Sequence, residues 1–178
     1  MIQVSKTILP GVLLIAPEVY ADDRGHFKET YRSNAYGDKG VTAEFVQENF
    51  SRSSKGVLRG LHFQASRPQG KLVSCLRGHV YDVVVDINPS SRTFRKWVGV
   101  NLTDENHLQI YIPPGYAHGF SVLSESADFF YKCTDYYVPN DECGILWSDP
   151  DLSIDWLVSN PIVSEKDQKL PRLTEVIG

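Results

Sequence analysis

Short runs of apolar and aromatic residues recur along the chain, and each run is bounded by Gly, Pro, Asn or Asp. β-Branched and aromatic side chains are typical of strands, and the sequence contains no long apolar stripe with a helical period. Many short strands at close spacing predict an all-β protein, built as an antiparallel sandwich or a small barrel. The clearest runs are VLRGLHFQ, KLVSCLR, HVYDVVVDI, KWVGVNL, LQIYIP, GFSVL and DFFYKCTDYYV.

Turns and short helices complete this secondary-structure prediction. Arg77-Gly78 predicts a hairpin turn, and the segment INPS at residues 87–90 predicts another turn. Two short helices are expected, near Ser33–Gly37 and Ser164–Leu170. Within the second helix, Asp167 occupies a capping-box position, so it has an alternative interpretation as a helix cap.

Alternation along the predicted strands places several polar side chains. In HVYDVVVDI, Asp82 and Asp86 share one face, which must be solvated or line a polar pocket because buried carboxylates are costly. In the strand predicted for Asp128–Tyr137, the phenols of Tyr131 and Tyr137 point the same way. If that face looks into a pocket, both phenols enter it.

Gly60 lies between two polar residues of the run VLRGLHFQ. Strict alternation would place Arg59 and His62 on opposite faces of this strand. Glycine inside a strand often marks a β-bulge, and a bulge here would turn both side chains to one side. We therefore predict a bulge at Gly60 that brings Arg59 and His62 together.

Composition and charge narrow the class of protein. The chain has 178 residues, of which 42% are hydrophobic and 22% charged, so residues 1–178 are expected to form one globular domain. The net charge of −4 argues against a nucleic-acid surface. Pro10, Gly11 and Pro17 interrupt the apolar N-terminal pieces, so neither a signal peptide nor a membrane span is predicted. A cytoplasmic protein without a membrane partner is expected.

The cysteines give no sign of a disulfide framework or a zinc site. There are three of them, an odd number, and no CxxC motif is present. Cys75 and Cys133 lie in apolar runs, where free cysteine commonly acts as a small core residue.

The motif PxGxxH, from Pro113 to His118, follows the run LQIYI. It resembles the second signature of cupins, which are double-stranded β-helix jelly rolls. In metal-binding cupins, that histidine joins an HxH pair and a glutamate from an earlier strand. Here the earlier strand reads His62-Phe63-Gln64, so the HxH pair is missing and a metal site lacks ligands. We therefore expect no metal and no cofactor.

A closer resemblance covers essentially the whole chain. RGLHFQ and IPPGYAHGF together resemble the deoxythymidine diphosphate (dTDP)-4-dehydrorhamnose 3,5-epimerase family. The family implies a cupin-type jelly roll with a few short helices. Further segments match it in order, namely DRGHFKE, QGKLV, DVVVD, WVGV, YKCT and SEKD.

The chemistry of this family explains why such residues are needed. A ketone at C4 of a sugar acidifies the hydrogens at C3 and C5. Inversion at either carbon requires a base on one face, an acid on the other and a positive group near the enolate oxygen. The resemblance assigns His62 as the base, Asp167 as its orienting carboxylate, Tyr131 as the acid and Lys71 beside the C4 oxygen. It places Asp82 in the same polar network.

The resemblance also implies a nucleotide site shared between two subunits. Arg24, Arg59 and His118 resemble the groups that hold the diphosphate and the sugar, and arginine suits phosphate through its two parallel donors. Phe27 and Tyr137 resemble the rings that enclose the pyrimidine. In the family, the N-terminal strand crosses to the partner, which implies a homodimer with composite sites. Other matched substrate contacts are Glu29, Gln47, Asn49, Lys71, Glu142 and Lys166.

One position departs from the family pattern. His26 stands beside Phe27 where an aromatic residue is common. The stacking assignment of Phe27 stands, but the local packing around it no longer follows from the family pattern.

The implied reaction is epimerisation of dTDP-4-dehydro-6-deoxy-D-glucose at C3 and C5, which gives dTDP-4-dehydro-L-rhamnose. A single-centre epimerase acting on a related dTDP-4-keto-6-deoxy sugar is the nearest alternative, because one base and one acid can perform one inversion or two. A metal-dependent cupin oxygenase or isomerase and a non-catalytic sugar-nucleotide binding module are the other two classes. The first lacks its HxH pair, and the second has no need of both His62 and Tyr131.

Overall fold

The computed structural model describes residues 2–177. Its first six-stranded sheet contains both N-terminal and central strands. Its strand order is β1-β2-β10-β7-β12-β5, and its pairings are antiparallel. The predicted runs KLVSCLR, LQIYIP and DFFYKC form three adjacent strands of this sheet. Its strands are β1 (Gln3–Lys6), β2 (Leu13–Ala16), β5 (Gln47–Ser54), β7 (Lys71–Arg77), β10 (Gln109–Ile112) and β12 (Ser126–Cys133).

The second sheet faces the first and has the order β13-β6-β11-β8-β9, with β14 added in parallel beside β6. From β5 to β12 the chain passes back and forth between the two sheets in the manner of a jelly roll, except that β8 and β9 are antiparallel neighbours in the second sheet. The strands of the second sheet are β6 (Val57–Gln64), β8 (His79–Asp86), β9 (Trp97–Thr103), β11 (Tyr116–Val122), β13 (Glu142–Gly144) and β14 (Ile162–Val163).

A separate two-stranded hairpin, β3 (Val19–Asp22) and β4 (Gly25–Lys28), lies near the N-terminus. The two expected helices are found as α1 (Ser33–Gly37) and α2 (Glu165–Gln168). Two further short helical elements were not predicted, namely a 3₁₀ turn at Pro139–Asp141 and helix α3 (Leu173–Val176). None of the helices between residues 2 and 177 has the length and apolar character needed to cross a bilayer.

The main core lies between the two sheets, on their inner faces. Alternation sends β-branched and aromatic side chains inward from both sheets, and burial of this apolar surface is the main stabilising contribution. The outer face of each sheet is covered in turn, the first by the α1 region and the second by the C-terminal segment. Inner residues include Val73, Val80, Val84, Leu102, Ile110, Ile112, Val122 and Phe129.

The predicted hairpin at Arg77-Gly78 is wrong. β7 ends at Arg77 and β8 begins at His79, but these strands belong to different sheets. The chain therefore turns from one layer to the other. Gly78 has a φ of +83°, and a Cβ there would lie 2.2 Å from the backbone oxygen of Ser126, so glycine is needed for this crossing rather than for a hairpin.

The predicted strand Asp128–Tyr137 is too long at its C-terminal end. β12 ends at Cys133, which is fully buried, and the following residues leave the sheet. Arg67 forms an ion pair with Asp135 at this point. Tyr131 and Tyr137 therefore do not share one strand face.

The bulge predicted at Gly60 is confirmed. His62 lies opposite His118 and Arg59 lies opposite Phe120, so two residues of β6 face one residue of β11. A Cβ on Gly60 would lie 2.6 Å from the Cα of Gly119, so only glycine allows the two strands to approach this closely. The bulge turns Arg59 and His62 to the inner face.

Asp82 and Asp86 share the inner face of β8, as predicted, but that face is not solvated. Asp82 is fully buried beside His118. Asp86 is also buried, and it organises the predicted turn that follows Ile87 by accepting hydrogen bonds from Asn88, Ser91 and Thr93.

The three cysteines are free thiols. Cys75 and Cys133 are buried, as predicted, and Cys143 is partly buried.

Candidate active site

A cleft of about 490 Å³ lies between the two sheets. This volume is within the range of small-molecule sites. Both sheets and the α2 region contribute to its walls, and its polar side chains are Asn49, Ser51, Arg59, His62, Lys71, His118, Tyr131, Ser164, Lys166 and Asp167.

His62 and Asp167 form a hydrogen-bonded pair in this cleft. His62 Nε2 lies 2.8 Å from Asp167 Oδ1, and Asp167 Oδ2 accepts a bond from the Gly60 backbone N–H at 3.2 Å. An ionised carboxylate can only accept, so the imidazole proton belongs on Nε2. This arrangement leaves Nδ1 of His62 with the lone pair that a base needs.

Helix α2 brings Asp167 to His62. The helix is capped by Ser164, whose hydroxyl accepts a hydrogen bond from the Asp167 backbone N–H at 3.1 Å. The Asp167 carboxylate takes no part in this cap, so its interpretation as a capping side chain is wrong. Burial raises the pKa of Asp167, but the hydrogen bonds from His62 and the Gly60 backbone N–H and the charge of Lys166 lower it below its usual value, so the carboxylate is ionised at neutral pH.

Tyr131 belongs to the first sheet and His62 to the second, so they line the cleft from opposite sheets. The Tyr131 ring packs near Phe129, with 5.8 Å between the ring centroids. Burial raises the pKa of Tyr131 to about 12. The phenol therefore keeps its proton through the neutral range.

Lys71 lies close to both Tyr131 and His118. Its Nζ is 5.9 Å from the centre of the Tyr131 ring and 3.5 Å from His118 Nδ1. On its other side, His118 Nε2 is 2.8 Å from Asp82 Oδ2. Burial lowers the pKa values of both Lys71 and His118, so His118 is neutral at pH 7.

A smaller recess of about 80 Å³ shares His62, Lys71 and Tyr131 with the cleft. We call it the side recess, and its remaining walls include Tyr137 and Glu142. These two residues are linked by a hydrogen bond of 2.5 Å from the Tyr137 hydroxyl to Glu142 Oε2.

The other predicted contacts surround the cleft and the side recess. Lys166 donates to Glu142 Oε2 at 2.5 Å. Gln47 accepts a bond from the Tyr137 backbone N–H at 2.8 Å and donates to Asn49 at 3.1 Å. Arg59 donates to Ser53 at 3.1 Å. These side chains form a polar rim beside the reactive residues.

Three predicted binding residues are not brought to the cleft within one chain. Arg24, Phe27 and Glu29 lie on or just after the β3–β4 hairpin and line neither cavity. Arg24 is exposed and pairs with Asp22 at 2.5 Å. Phe27 is 69% exposed, which is unusual for a phenylalanine of a folded domain.

His26, which departs from the family pattern, packs on its own chain rather than toward the cleft. Its ring lies 4.6 Å from that of His107, and Lys28 Nζ lies 3.1 Å from His107 Nδ1. Phe27 points away from this pair and lies 6.5 Å from the Tyr20 ring. The Phe27 ring is therefore still available for stacking.

The apolar part of the cleft was not predicted from the sequence. Phe120 and Phe129 stack with their centroids 3.9 Å apart and line the wall beside Tyr131. Alternation of side chains along the strand could have placed Phe129 in the cleft, because it precedes Tyr131 by two residues and therefore shares its face. The other apolar lining residues are Phe50, Val57, Leu58, Ile162 and Val163.

The described residues contain no cluster of metal-ligating side chains. Between residues 2 and 177, no three His, Cys, Asp or Glu side chains are placed to hold one ion.

Comparison with known proteins places the chain in one family. The family model for dTDP-4-dehydrorhamnose 3,5-epimerase matches residues 6–175. The epimerase of that name from Methanothermobacter thermautotrophicus is 49% identical over 173 residues, covering 96% of this chain and 94% of that protein. The Escherichia coli epimerase is 50% identical over 177 residues, covering 98% and 96%.

The fold agrees with this assignment. The crystal structure of dTDP-6-deoxy-D-glucose-3,5-epimerase RmlC from Legionella pneumophila, in complex with dTDP-4-keto-L-rhamnose, superposes with a TM-score of 0.95. It is 49% identical in sequence, and the match covers 98% of this chain and 94% of that chain. The predicted cupin-type jelly roll is therefore confirmed, and this chain belongs to the dTDP-4-dehydrorhamnose 3,5-epimerase family.

Proposed function

We propose that this protein epimerises dTDP-4-dehydro-6-deoxy-D-glucose at C3 and C5, giving dTDP-4-dehydro-L-rhamnose. The observation that carries this proposal is the pairing of His62 with Asp167 on one side of the cleft and the placement of Tyr131 on the other. The Legionella relative was crystallised with a dTDP-4-keto sugar, which is the ligand class that this chemistry requires. The predicted cytoplasmic location suits such a substrate, because a diphosphate does not cross a bilayer unaided.

The first step is removal of a proton from the carbon next to the ketone. Nδ1 of His62 takes this proton, and the electron pair moves into the C4 carbonyl to form an enolate. The ionised Asp167 stabilises the imidazolium that results and fixes the orientation of its ring. The Lys71 ammonium stabilises the negative oxygen at C4.

The second step returns a proton from the opposite face. The Tyr131 phenol donates to the enolate carbon, whose configuration is thereby inverted. A phenol with a pKa near 12 holds its proton until a strongly basic carbon is present. His62 then releases its proton and Tyr131 regains one through solvent, so the cycle is redox-neutral and needs no electron carrier.

We propose that the β3–β4 hairpin completes the site of a partner subunit in a homodimer. Arg24, Phe27 and Glu29 match family contacts to the nucleotide but lie outside the cleft of their own chain. The exposed Phe27 ring and the solvated Arg24 side chain suit a surface that becomes covered on pairing. Each dimer would then hold two sites, each built from both chains.

The substrate and the regiochemistry are tested by incubating the enzyme with the dTDP-4-keto-6-deoxy sugar in heavy water. We expect deuterium at both C3 and C5 of an L-configured product, because each inversion returns a proton from solvent. NMR spectroscopy gives both the label positions and the product configuration. Label and inversion at one carbon alone would instead identify a single-centre epimerase, and an absence of label would contradict the proposed reaction.

His62→Ala is expected to lower kcat at least ~100-fold, which is the contribution of one general base. Steady-state kinetics on the same substrate measure this loss. His79→Ala is the matched control, because His79 bonds to Asn101 at 2.8 Å and lines neither cavity. Near-normal turnover in His62→Ala would show that another group acts as the base.

The composite site is tested with mixed dimers of His62→Ala and Arg24→Glu chains, purified through two different tags. If Arg24 serves the partner's cleft, one site of the mixed dimer is intact and about half of the wild-type activity returns. Mixed dimers of His62→Ala and Lys71→Ala are the control, because both residues serve the cleft of their own chain and no site is restored. A mixed dimer with Arg24→Glu that remains as inactive as its parents would contradict the exchange.

A further inference from the structure

Asp82 is a fully buried carboxylate with one unsatisfied oxygen. Its Oδ2 lies 2.8 Å from His118 Nε2. Its Oδ1 is buried and accepts no hydrogen bond from any group in the described part of the chain. Burying a charged oxygen without a partner costs stability, so its presence calls for a physical reason.

Asp86 shows that a carboxylate on this face can be fully satisfied. It lies on the same strand, points the same way and is equally buried. Its oxygens accept from the Asn88 N–H at 3.0 Å, the Ser91 hydroxyl at 2.5 Å and the Thr93 hydroxyl at 2.6 Å. Asp86 has a local structural role, whereas the one side-chain hydrogen bond that Asp82 makes within residues 2–177 leads through His118 to the cleft.

The contacts of His118 determine which of its ring nitrogens donates a hydrogen bond and which accepts one. The Asp82 carboxylate accepts, so the proton of His118 lies on Nε2. Nδ1 then carries a lone pair, and it is 3.5 Å from the Lys71 ammonium, which can only donate. The imidazole thus links a buried negative charge to a buried positive charge, with compatible donors and acceptors at both ends.

Lys71 needs such support because its surroundings favour the neutral amine. Burial lowers its pKa, while the carboxylates of Asp82 and Glu142 and the thiol of Cys133 act in the opposite direction. The Glu142 carboxylate already accepts hydrogen bonds from Lys166 and Tyr137. Of the two carboxylates, Glu142 already has an ammonium partner in Lys166, whereas Asp82 bonds to the His118 imidazole. Titratable groups around Lys71 also include His118, Tyr131 and His62, which lines both cavities with it.

We propose that Asp82 and His118 are positioning residues that keep the Lys71 ammonium charged and directed into the cleft. This inference rests on the proposed function, in which Lys71 stabilises the enolate oxygen. It also gives His118 a positioning role beyond the contact to the diphosphate and sugar that the family resemblance implies. Both ring nitrogens of His118 face protein groups, and its side chain is only 7% exposed.

The test is the pH dependence of kcat in Asp82→Asn. The amide keeps an oxygen that accepts from His118 but loses the charge, so the pKa of Lys71 should fall further. Activity requires charged Lys71, so the alkaline limb of the kcat profile should move to lower pH by about one unit. Tyr131, whose pKa is about 12, does not set this limb. At neutral pH, kcat should fall by up to ~10-fold with little change in KM, because a shift of one pH unit changes the charged fraction of Lys71 by no more than tenfold.

Two further variants separate this role from a general loss of structure. Asp86→Asn also removes a buried carboxylate of β8, and it should lower thermal stability without moving the alkaline limb. His118→Asn breaks the link itself and should move the limb in the same direction as Asp82→Asn. The double variant should lose little more activity than either single variant, because the two residues act as one unit.

A second measurement applies even where turnover is too slow to follow. Acetylation of Lys71 by acetic anhydride, read by mass spectrometry as a function of pH, reports the fraction of neutral amine in the folded protein. Asp82→Asn should shift this curve to lower pH by the same amount as the kinetic limb.

The outcomes distinguish this inference from the function on which it rests. The positioning role would be overturned if Asp82→Asn moved neither the alkaline limb of the kcat profile nor the acetylation curve. It would also be overturned if this variant raised KM and changed nothing else. Normal turnover in Lys71→Met would instead remove Lys71 from the proposed mechanism. A loss of turnover in Lys71→Met beside unmoved curves in Asp82→Asn would reject only the positioning role.

Discussion

Two facing sheets constrain everything else in this protein, because their inner faces stand about 10 Å apart, as in sandwiches generally. Apolar side chains fill most of this gap and stabilise the fold. Where polar side chains replace them, the gap becomes a cleft with one sheet on each side. A sugar ring held there presents its two faces to different sheets, which is the geometry that an inversion by proton transfer requires. The two-sheet fold therefore places the base and the acid on opposite sides of the cleft.

The position of the base depends on one β-bulge in an otherwise regular pair of strands. Gly60 lets β6 approach β11 closely enough for a bulge, and the bulge turns His62 inward. The backbone N–H of Gly60 also donates to Asp167. One glycine thus helps to place the imidazole and the carboxylate that orients it. On the opposite sheet, no irregularity is needed, because alternation alone turns Lys71 and Tyr131 inward.

Much of the fold could be predicted from the sequence, because short β-branched runs and turn residues are local signals. The runs around His62 and Lys71 became strands with their expected bounds, and the run around Tyr131 became a strand that ends earlier than predicted, at Cys133. The sheet to which each strand belongs is a long-range property. Arg77-Gly78 looked like a hairpin turn, yet it crosses between layers. Asp167 had a plausible local role as a cap, and only tertiary packing places its side chain 2.8 Å from His62.

The candidate site was predicted mainly through motifs rather than through physical patterns. A lone histidine or tyrosine in a strand has many structural roles, and only the combination RGLHFQ with PPGYAHGF pointed to chemistry. Phe120 and Phe129 were missed because buried aromatic residues are common in any core. The placement of Arg24 and Phe27 depends on a second chain, and no pattern within one chain measures that contact.

Incubating Tyr131→Phe with the substrate in heavy water tests whether base and acid act on opposite faces of the sugar. This variant keeps the base and the cleft but has no phenolic proton to give. If His62 and Tyr131 act from opposite faces, the recovered substrate should gain deuterium beside the ketone while keeping its original configuration, and NMR spectroscopy reads both properties. Inverted product formed at the wild-type rate, or exchange lost together with inversion, would contradict an acid and a base placed on opposite sides of the sugar.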